Sequence, residues 1–481
     1  MAFIVCYNFS MKKSKKLLKK TSKELKEISK NAAKEKKQVL YAKRMQSKEE
    51  GRLKKKSLII KRNTISTWLT LDNAATIYPS IREEKWDFVF RLSAVLNELV
   101  DINTLQQAVD DITPRFPSFF VKLKKGFFWN YFETQEKRLL VEKEDKFPCS
   151  RFSGQKNKHI IRVLVYNHRI SVECFHAIAD GKSVLKFLNS LLKRYFELQG
   201  TKLSSSIGCL DYLDKPRREE LADSFFEFED DSKKLKHKEK KAYYIKGTEE
   251  EYGVINSTIG IMSVGKVKQI AKDYNAKLFE FIIANLAFVI AKRAKTTDCP
   301  VKISVPIDLR QFFESESLRN FAGYINIEVP CRKYESVTEV LPYVQSAMEE
   351  ITKDRMQSFI NSNVAMQKNF FIKVIPLFIK NFFIKLFFKA WGESYQTLAL
   401  SNLGMVKVPE EFGGLVDYYE FNVGRPKYNA KSAGLISFGD KLVFTMSSKI
   451  KENTTERDFF VQLAKLGAEV TINTNRRDLY E

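Results

Sequence analysis

Apolar and polar positions alternate most cleanly over residues 159–175 (HIIRVLVYNHRISVECF). Two β-branched runs flank a Tyr-Asn-His-Arg turn there and predict a hairpin with Ile170, Val172 and Cys174 on one face. After Gly181 the period becomes helical: Val184, Leu188, Leu191, Leu192 and Tyr195 share a face, and Gly200 closes the helix. Upstream, the globular pattern starts near Trp68, and Phe88 to Leu96 shows no clean period, leaving strand and helix open. Residues 103–111 predict a short helix opened by Asn103, and 119–124 with GFFWNYFE predict a Gly-marked strand–turn–strand. Downstream lie a strand at 254–262, a helix capped by Ser263 and running to about Tyr274, and a helix at 277–293 that is apolar nearly all round. Strands in KISVPIDLR and NFAGYINIEV follow. The strand–helix–strand order in both halves predicts two similarly built α/β subdomains. A charged, Pro-containing stretch at 213–250, read as an exposed linker or insertion, separates them.

The segment 369–391 (NFFIKVIPLFIKNFFIKLFFKAW) is the most apolar in the chain. A membrane-surface helix gathers its lysines on one face. Lys380 and Lys389, nine residues apart, fall about 900° apart in a helix and so on opposite faces. Pro376 interrupts the pattern as well. The segment is therefore expected to form a buried or interface-packed helix pair, with peripheral membrane contact as the alternative.

Composition adds material for a large core: 44% of the 481 residues are hydrophobic and 38 are Phe, which excludes wholesale disorder. The net charge of +24 is unevenly spread. Between Met11 and Arg62 there are 21 basic and 5 acidic residues, a surplus of 16, which leaves only +8 for the rest. A sparse stripe at Leu18, Leu25, Ala32 and Val39 is compatible with a lone helix, so residues 1–63 are read as a basic, partly helical or disordered tail. Such a tail would suit an acidic carrier protein or an anionic membrane surface; no specific nucleic acid is expected. Six cysteines without paired spacing fit reduced thiols, so the expected location is cytoplasmic, with a peripheral membrane position as the alternative. No run approaches 18 uncharged apolar residues, and no signal-peptide order is present; Met11 is an alternative start.

The segment Phe175-His176-Ala177-Ile178-Ala179-Asp180-Gly181 carries the candidate chemistry, because it stands where a predicted strand ends and a helix begins. A His at a strand end can be aimed into a cleft, and its near-neutral pKa suits a general base acting on an acceptor hydroxyl, thiol or amine. Asp180, one tight loop later beside Gly181, is better suited to a bidentate pair with Arg310 of KISVPIDLR than to proton transfer. Ser401 and Asn402 of LSNLG are candidates for oxyanion stabilisation or tunnel lining, against a plain turn with Gly404 in an unusual backbone conformation. Tyr324 and Asn326 alternate with Ile325 and Ile327 and so share a side. Cys174 shares the face of His176 in an extended strand, but a core cysteine is the simpler reading. GxxxxGK[ST], GxGxxG after a strand, GxSxG and HExxH are all absent, so nucleotide hydrolysis, Rossmann dehydrogenation, serine hydrolysis and zinc proteolysis lack their residues.

Taken together, HAIADG, VPIDLR with NFAGYINIEV, and LSNLG resemble the chloramphenicol-acetyltransferase-like superfamily, which includes nonribosomal-peptide condensation domains and alcohol acetyltransferases. The chain is most similar to the bacterial alcohol acetyltransferase-like branch over roughly residues 64–481. The resemblance implies an α/β fold of two acetyltransferase-like subdomains, 64–235 and 236–481, set in a V around an active-site tunnel. It implies direct acyl transfer with His176 as base and Asp180 paired structurally with Arg310. Acetyl-CoA or another acyl-CoA would be co-substrate to a small alcohol or amine, with no bound cofactor and no metal. Condensation domains usually carry a second His where Phe175 stands here, and the DFGWG motif of plant acyltransferases is missing. An acyl-CoA-dependent O-acyltransferase is the leading expectation. Carrier-protein-dependent N- or O-acylation and a non-catalytic membrane-surface scaffold are the alternatives.

Overall fold

The computed structural model describes residues 68–82, 86–152, 159–230, 232, 240–294, 298–369, 374–388 and 393–476. The basic tail at 1–63, the expected boundary at 235/236 and Lys389 lie outside these residues. By its internal contacts the chain divides after Ser66, and Thr67–Glu481 forms one compact unit.

That unit is built on three sheets. The hairpin expected at 159–175 is present as strands Ile161–Tyr166 and Arg169–Phe175, with Asn167 in the left-handed region (φ 49°) at the turn. It sits in a five-stranded sheet ordered Val416–Asn422, Val89–Leu96, Arg169–Phe175, Ile161–Tyr166, Val141–Lys143. Strand Val89–Leu96 settles the ambiguity of that stretch. It lacks a clean period because it is buried along nearly its whole length, so neither face is marked by polar residues. A seven-stranded sheet runs Ala322–Val329, Val301–Asp308, Leu398–Met405, Lys431–Phe438, Lys441–Ser448, Asn256–Ser263, Thr471–Thr474. A three-stranded sheet joins Trp68–Thr70, Asn130–Thr134 and Val121–Lys125.

Strand Val416–Asn422 comes from the second half of the chain yet completes the sheet of the first. On its way it crosses Lys431–Phe438 so closely that a Cβ on Gly434 would meet the Phe421 carbonyl oxygen at 2.2 Å. Only glycine permits that approach. The two halves are interlocked by this exchange, which a division by chain order does not express.

Two hydrophobic cores fill the unit. The first packs helix Gly181–Leu198 and helix Ile102–Ile112 on the five-stranded sheet and takes in Leu403, Phe421 and Ile436 from the second half. The second surrounds helix Leu278–Arg293, twelve of whose residues are buried, as its all-round apolar sequence requires. Ser263 caps helix Val264–Asp273 by accepting from Lys266 N (3.1 Å). Helix Ile102–Ile112 begins earlier than the Asn103 start read from the sequence. Asp101 is its cap, accepting from Thr104 N at 2.7 Å, and Asn103 lies inside the first turn.

Two further sequence expectations change. The stretch at 213–250 is not simply exposed: Glu220, Ser224 and Phe225 are buried, and Arg115 donates both guanidinium Nη groups to Glu220 at 2.6 and 2.7 Å. Within 369–391, helix Leu377–Phe387 buries Leu377 and Lys380 but leaves Phe378, Phe382, Phe383 and Leu386 exposed, so this helix is not the buried form of the expected buried or interface-packed pair. Among the described residues no single helix is long and apolar enough to cross a membrane. The pair Val264–Asp273 and Leu278–Arg293 approaches that length only across a 76° bend, and its longer member is largely buried in the core.

Candidate active site

Strand Arg169–Phe175 ends in the sheet interior. The next residue, His176, is held by its backbone N–H donating to Phe88 O (2.8 Å), so its side chain leaves the sheet at a fixed point. The imidazole stacks on Tyr78 (ring centroids 4.7 Å apart) and tilts against Phe90 (5.0 Å). Its Nδ1 lies 3.2 Å from Asn320 Oδ1. The orientation of that amide is decided by its other end, because Asn320 Nδ2 donates to Asp72 Oδ2 (3.1 Å) and to Ala177 O (3.5 Å). Asn320 Oδ1 therefore accepts, and Nδ1 of His176 carries the proton. Nε2 is left with its lone pair and no protein hydrogen bond among the described residues. Burial holds the imidazole below its ordinary pKa, against opposing pulls from its own carbonyl, Asp180, Asn320 and Asp72. At neutral pH the group is an unprotonated base.

Asp72 is fully buried and is itself oriented, accepting from Ala75 N (2.7 Å) and standing 3.5 Å from Arg319 Nε. Burial pushes its carboxyl up, opposed by Arg319 and the Asn320 amides. Sequence reasoning missed Asp72, Tyr78 and the role of Asn320. Nothing in LDNAAT marks Asp72, since only the fold brings it to a segment near residue 320. The one local signal was the Asn beginning NFAGY.

Asp180 serves three partners. It caps helix Gly181–Leu198 by accepting from Ser183 N (3.0 Å), accepts from Phe321 N (2.9 Å), and accepts from Arg310 Nη1 (2.8 Å). Burial works to raise its carboxyl, yet Arg310 and the two backbone donors hold it below the ordinary carboxylate value. Arg310 in turn donates to Ser317 O (2.8 Å), Arg319 O (2.7 Å), Asp308 Oδ1 (2.9 Å) and Ser183 Oγ (3.2 Å). Apart from the local bond to Asp308, every bond on this list grips either the start of the helix or the segment 317–321. Since Asn320 belongs to that segment, the Asp180–Arg310 pair and His176 are mechanically linked.

Gly181 follows the cap because space is short there: a Cβ would meet Leu403 Cδ2 at 3.0 Å. Lys182 Nζ donates to Leu403 O (2.6 Å), so the LSNLG strand is fixed beside the helix start. Asn402 Oδ1 accepts from Gly404 N (2.8 Å), and Gly404 has φ +68°, so the turn expected as the plainer reading is formed. No hydrogen bond joins Ser401 or Asn402 to His176 among the described residues. Tyr324 is half exposed and sets its ring edge-on to Phe359 (5.4 Å). Cys174 is buried, and burial together with the Asp180 charge pushes its thiol far up, so it offers no thiolate nucleophile. No group of three or more His, Cys, Asp or Glu is placed to hold a metal ion among the described residues.

No protein-family model matches the chain, and no curated protein matches it significantly. Among solved structures, the epimerization domain from the third module of tyrocidine synthetase B aligns with TM-score 0.55 at 10% identity, over 84% of this chain and 96% of that one. Polyketide synthase associated protein 5 from Mycobacterium tuberculosis aligns with TM-score 0.53 at 11% identity, over 82% and 96%. Trichothecene 15-O-acetyltransferase from Fusarium sporotrichioides aligns with TM-score 0.51 at 10% identity, over 84% and 96%. The fold is that of this group of synthetase domains and acetyltransferases.

Proposed function

We propose that this protein is an acyl-CoA-dependent O-acyltransferase of the alcohol acetyltransferase-like type, with His176 as its general base. The observation that carries the reading is the His176 tautomer: Nδ1–H is spent on Asn320, and Nε2 is an unpaired acceptor on an apolar-walled ring. In the reaction, Nε2 takes the proton of an acceptor hydroxyl as its oxygen attacks the thioester carbonyl. The tetrahedral intermediate collapses by breaking the C–S bond, and the imidazolium returns the proton to the departing CoA sulfur. The acceptor is the nucleophile, so no acyl-enzyme is needed. Asp180, Gly181 and Arg310 hold the loop and stay outside proton transfer. Ser401 and Asn402, on the strand fixed against the helix start, are the candidate oxyanion donors, and Tyr324 and Asn326 remain candidates for tunnel lining. The likeness to an O-acetyltransferase fold supports this chemistry without fixing the acceptor.

A second reading delivers the acyl group from a carrier protein instead of CoA. It draws on the synthetase-module and polyketide-synthase-associated neighbours and on the basic tail, which would suit an acidic carrier. Free-thiol release from acetyl-CoA over a panel of alcohols and amines, run in parallel with acyl-loaded carrier, separates the two. Acceptor-dependent release from acetyl-CoA supports the first reading, and turnover from the carrier alone replaces it with the second.

A further inference from the structure

One face of the molecule carries apolar surface that the fold leaves uncovered. Helix Leu377–Phe387 is fastened to the 126–129 loop: Leu377 N donates to Phe127 O (2.8 Å), and Lys380 Nζ donates to Phe128 O (3.1 Å) while standing 3.3 Å over the Trp129 ring. At 100° per residue the opposite side of the helix spans Lys385, Phe378, Phe382, Leu386 and Phe383 within an arc of roughly 160°. That arc faces outward: Phe378 is 71% exposed, and Phe382 and Phe383 are 60% each. The attached loop adds Phe127 at 70%. Single exposed phenylalanines are ordinary, but a cluster on two joined elements marks an interaction surface.

The two segments that carry it hold charge of one sign. Residues 121–132 contain three Lys and no Asp or Glu, and residues 369–391 contain four Lys and no Asp or Glu. Glu133 pairs with Lys122 and Lys124, which leaves Lys125 and Lys385 exposed without an ion pair among the described residues.

We propose that this face docks the protein on an anionic lipid leaflet, with the rings of Phe127, Phe378, Phe382 and Phe383 at the headgroup–acyl boundary and Lys125 and Lys385 on the headgroups. Charge selects this occupant: a second copy would set lysine against lysine, and a basic segment such as residues 11–62 has the wrong sign to cover the face. A helix whose other side is packed on its own protein needs no polar face toward water. The opposed placement of Lys380 and Lys389 is therefore no obstacle. The same helix leads inward, with Phe388 6.1 Å from Phe88, Phe88 edge-on to Tyr78 (5.1 Å), and Tyr78 stacked on His176. The docking does not depend on acyl transfer.

The test is co-sedimentation of the full chain with phosphatidylcholine vesicles with and without phosphatidylserine, combined with quenching of tryptophan emission by chain-brominated lipid in wild type and Trp129→Phe, whose difference reads insertion near Trp129. Wild type is expected to bind the anionic vesicles and be quenched. Phe378→Ser/Phe382→Ser/Phe383→Ser should lose at least about tenfold in partitioning together with the quenching, at unchanged melting temperature because all three side chains are exposed. Lys385→Glu should lose about fivefold or more. The proposal is overturned if the triple variant binds like wild type, if neutral vesicles bind equally well, if no vesicle binds, or if the triple substitution instead abolishes a dimer.

Discussion

Removing the Arg310 guanidinium isolates a buried charge, and the size of the effect can be worked from its contacts. Arg310→Ala leaves Asp180, 6% exposed, with Phe321 N and Ser183 N as its only donors among the described residues, and strips donors from Ser317 O and Arg319 O. Breaking a buried ion pair by deleting one partner costs about 3–5 kcal/mol. The two surviving backbone donors place this case near the lower end, about 3–4 kcal/mol. For a cooperative unit of about 400 residues the unfolding entropy is about 0.8 kcal/mol/K, so the melting temperature should fall by about 4 °C. Scanning fluorimetry of wild type, Arg310→Ala, Asp180→Asn and the double variant reads this directly. The double variant should be less destabilised than Arg310→Ala, because its remaining side chain is neutral. The pH dependence has a definite sign. Asp180 is held below its unfolded value, so its contribution is complete above the unfolded carboxylate pKa of about 3.9 and is lost as pH falls through the folded one. The gap between wild type and Arg310→Ala should be full at neutral pH and close on acidification through that range. An Arg310→Ala protein that melts like wild type at neutral pH would refute the brace.

Three further outcomes are expected. Asn320→Ala should lower kcat about tenfold with little change in KM, since one hydrogen bond that fixes the base is lost, and nitrogen NMR should show the His176 tautomer becoming mixed; unchanged kcat and tautomer would remove Asn320 from the site. The acid limb of the rate profile should lie below the ordinary histidine value of about 6.5, because burial disfavours the imidazolium, and a limb above it would mean that a different group titrates. Cys174→Ala should keep transfer activity while losing some stability as a buried thiol is trimmed, whereas loss of activity in a folded variant would revive an acyl-cysteine.

Much of the frame was legible in the chain because local rules dominate there. The 161–175 hairpin, helix Gly181–Leu198, the Ser263 cap and the all-apolar helix Leu278–Arg293 each follow from a period or a cap within one segment. The Asp180–Arg310 contact could be anticipated from two motifs whose chemistry is complementary. What escaped depended on distance in sequence. Asp72 meets Asn320, and Asn320 meets His176, only after three separate segments converge, and strand Val416–Asn422 changes sheets by a topology that no period encodes. The exposed face of helix Leu377–Phe387 escaped for another reason. Composition shows how apolar a helix is, while its exposure is fixed by which face the 126–129 loop happens to occupy.

The most direct test of the central claim is a single-turnover assay with excess enzyme, following both the acylated acceptor and free CoA thiol from acetyl-CoA in wild type and His176→Ala. If His176 is the base, both products form in equal amounts in wild type, and their common rate falls about 10²–10⁴-fold in the variant while its melting temperature holds. A folded His176→Ala protein that transfers the acyl group at the wild-type rate would contradict it.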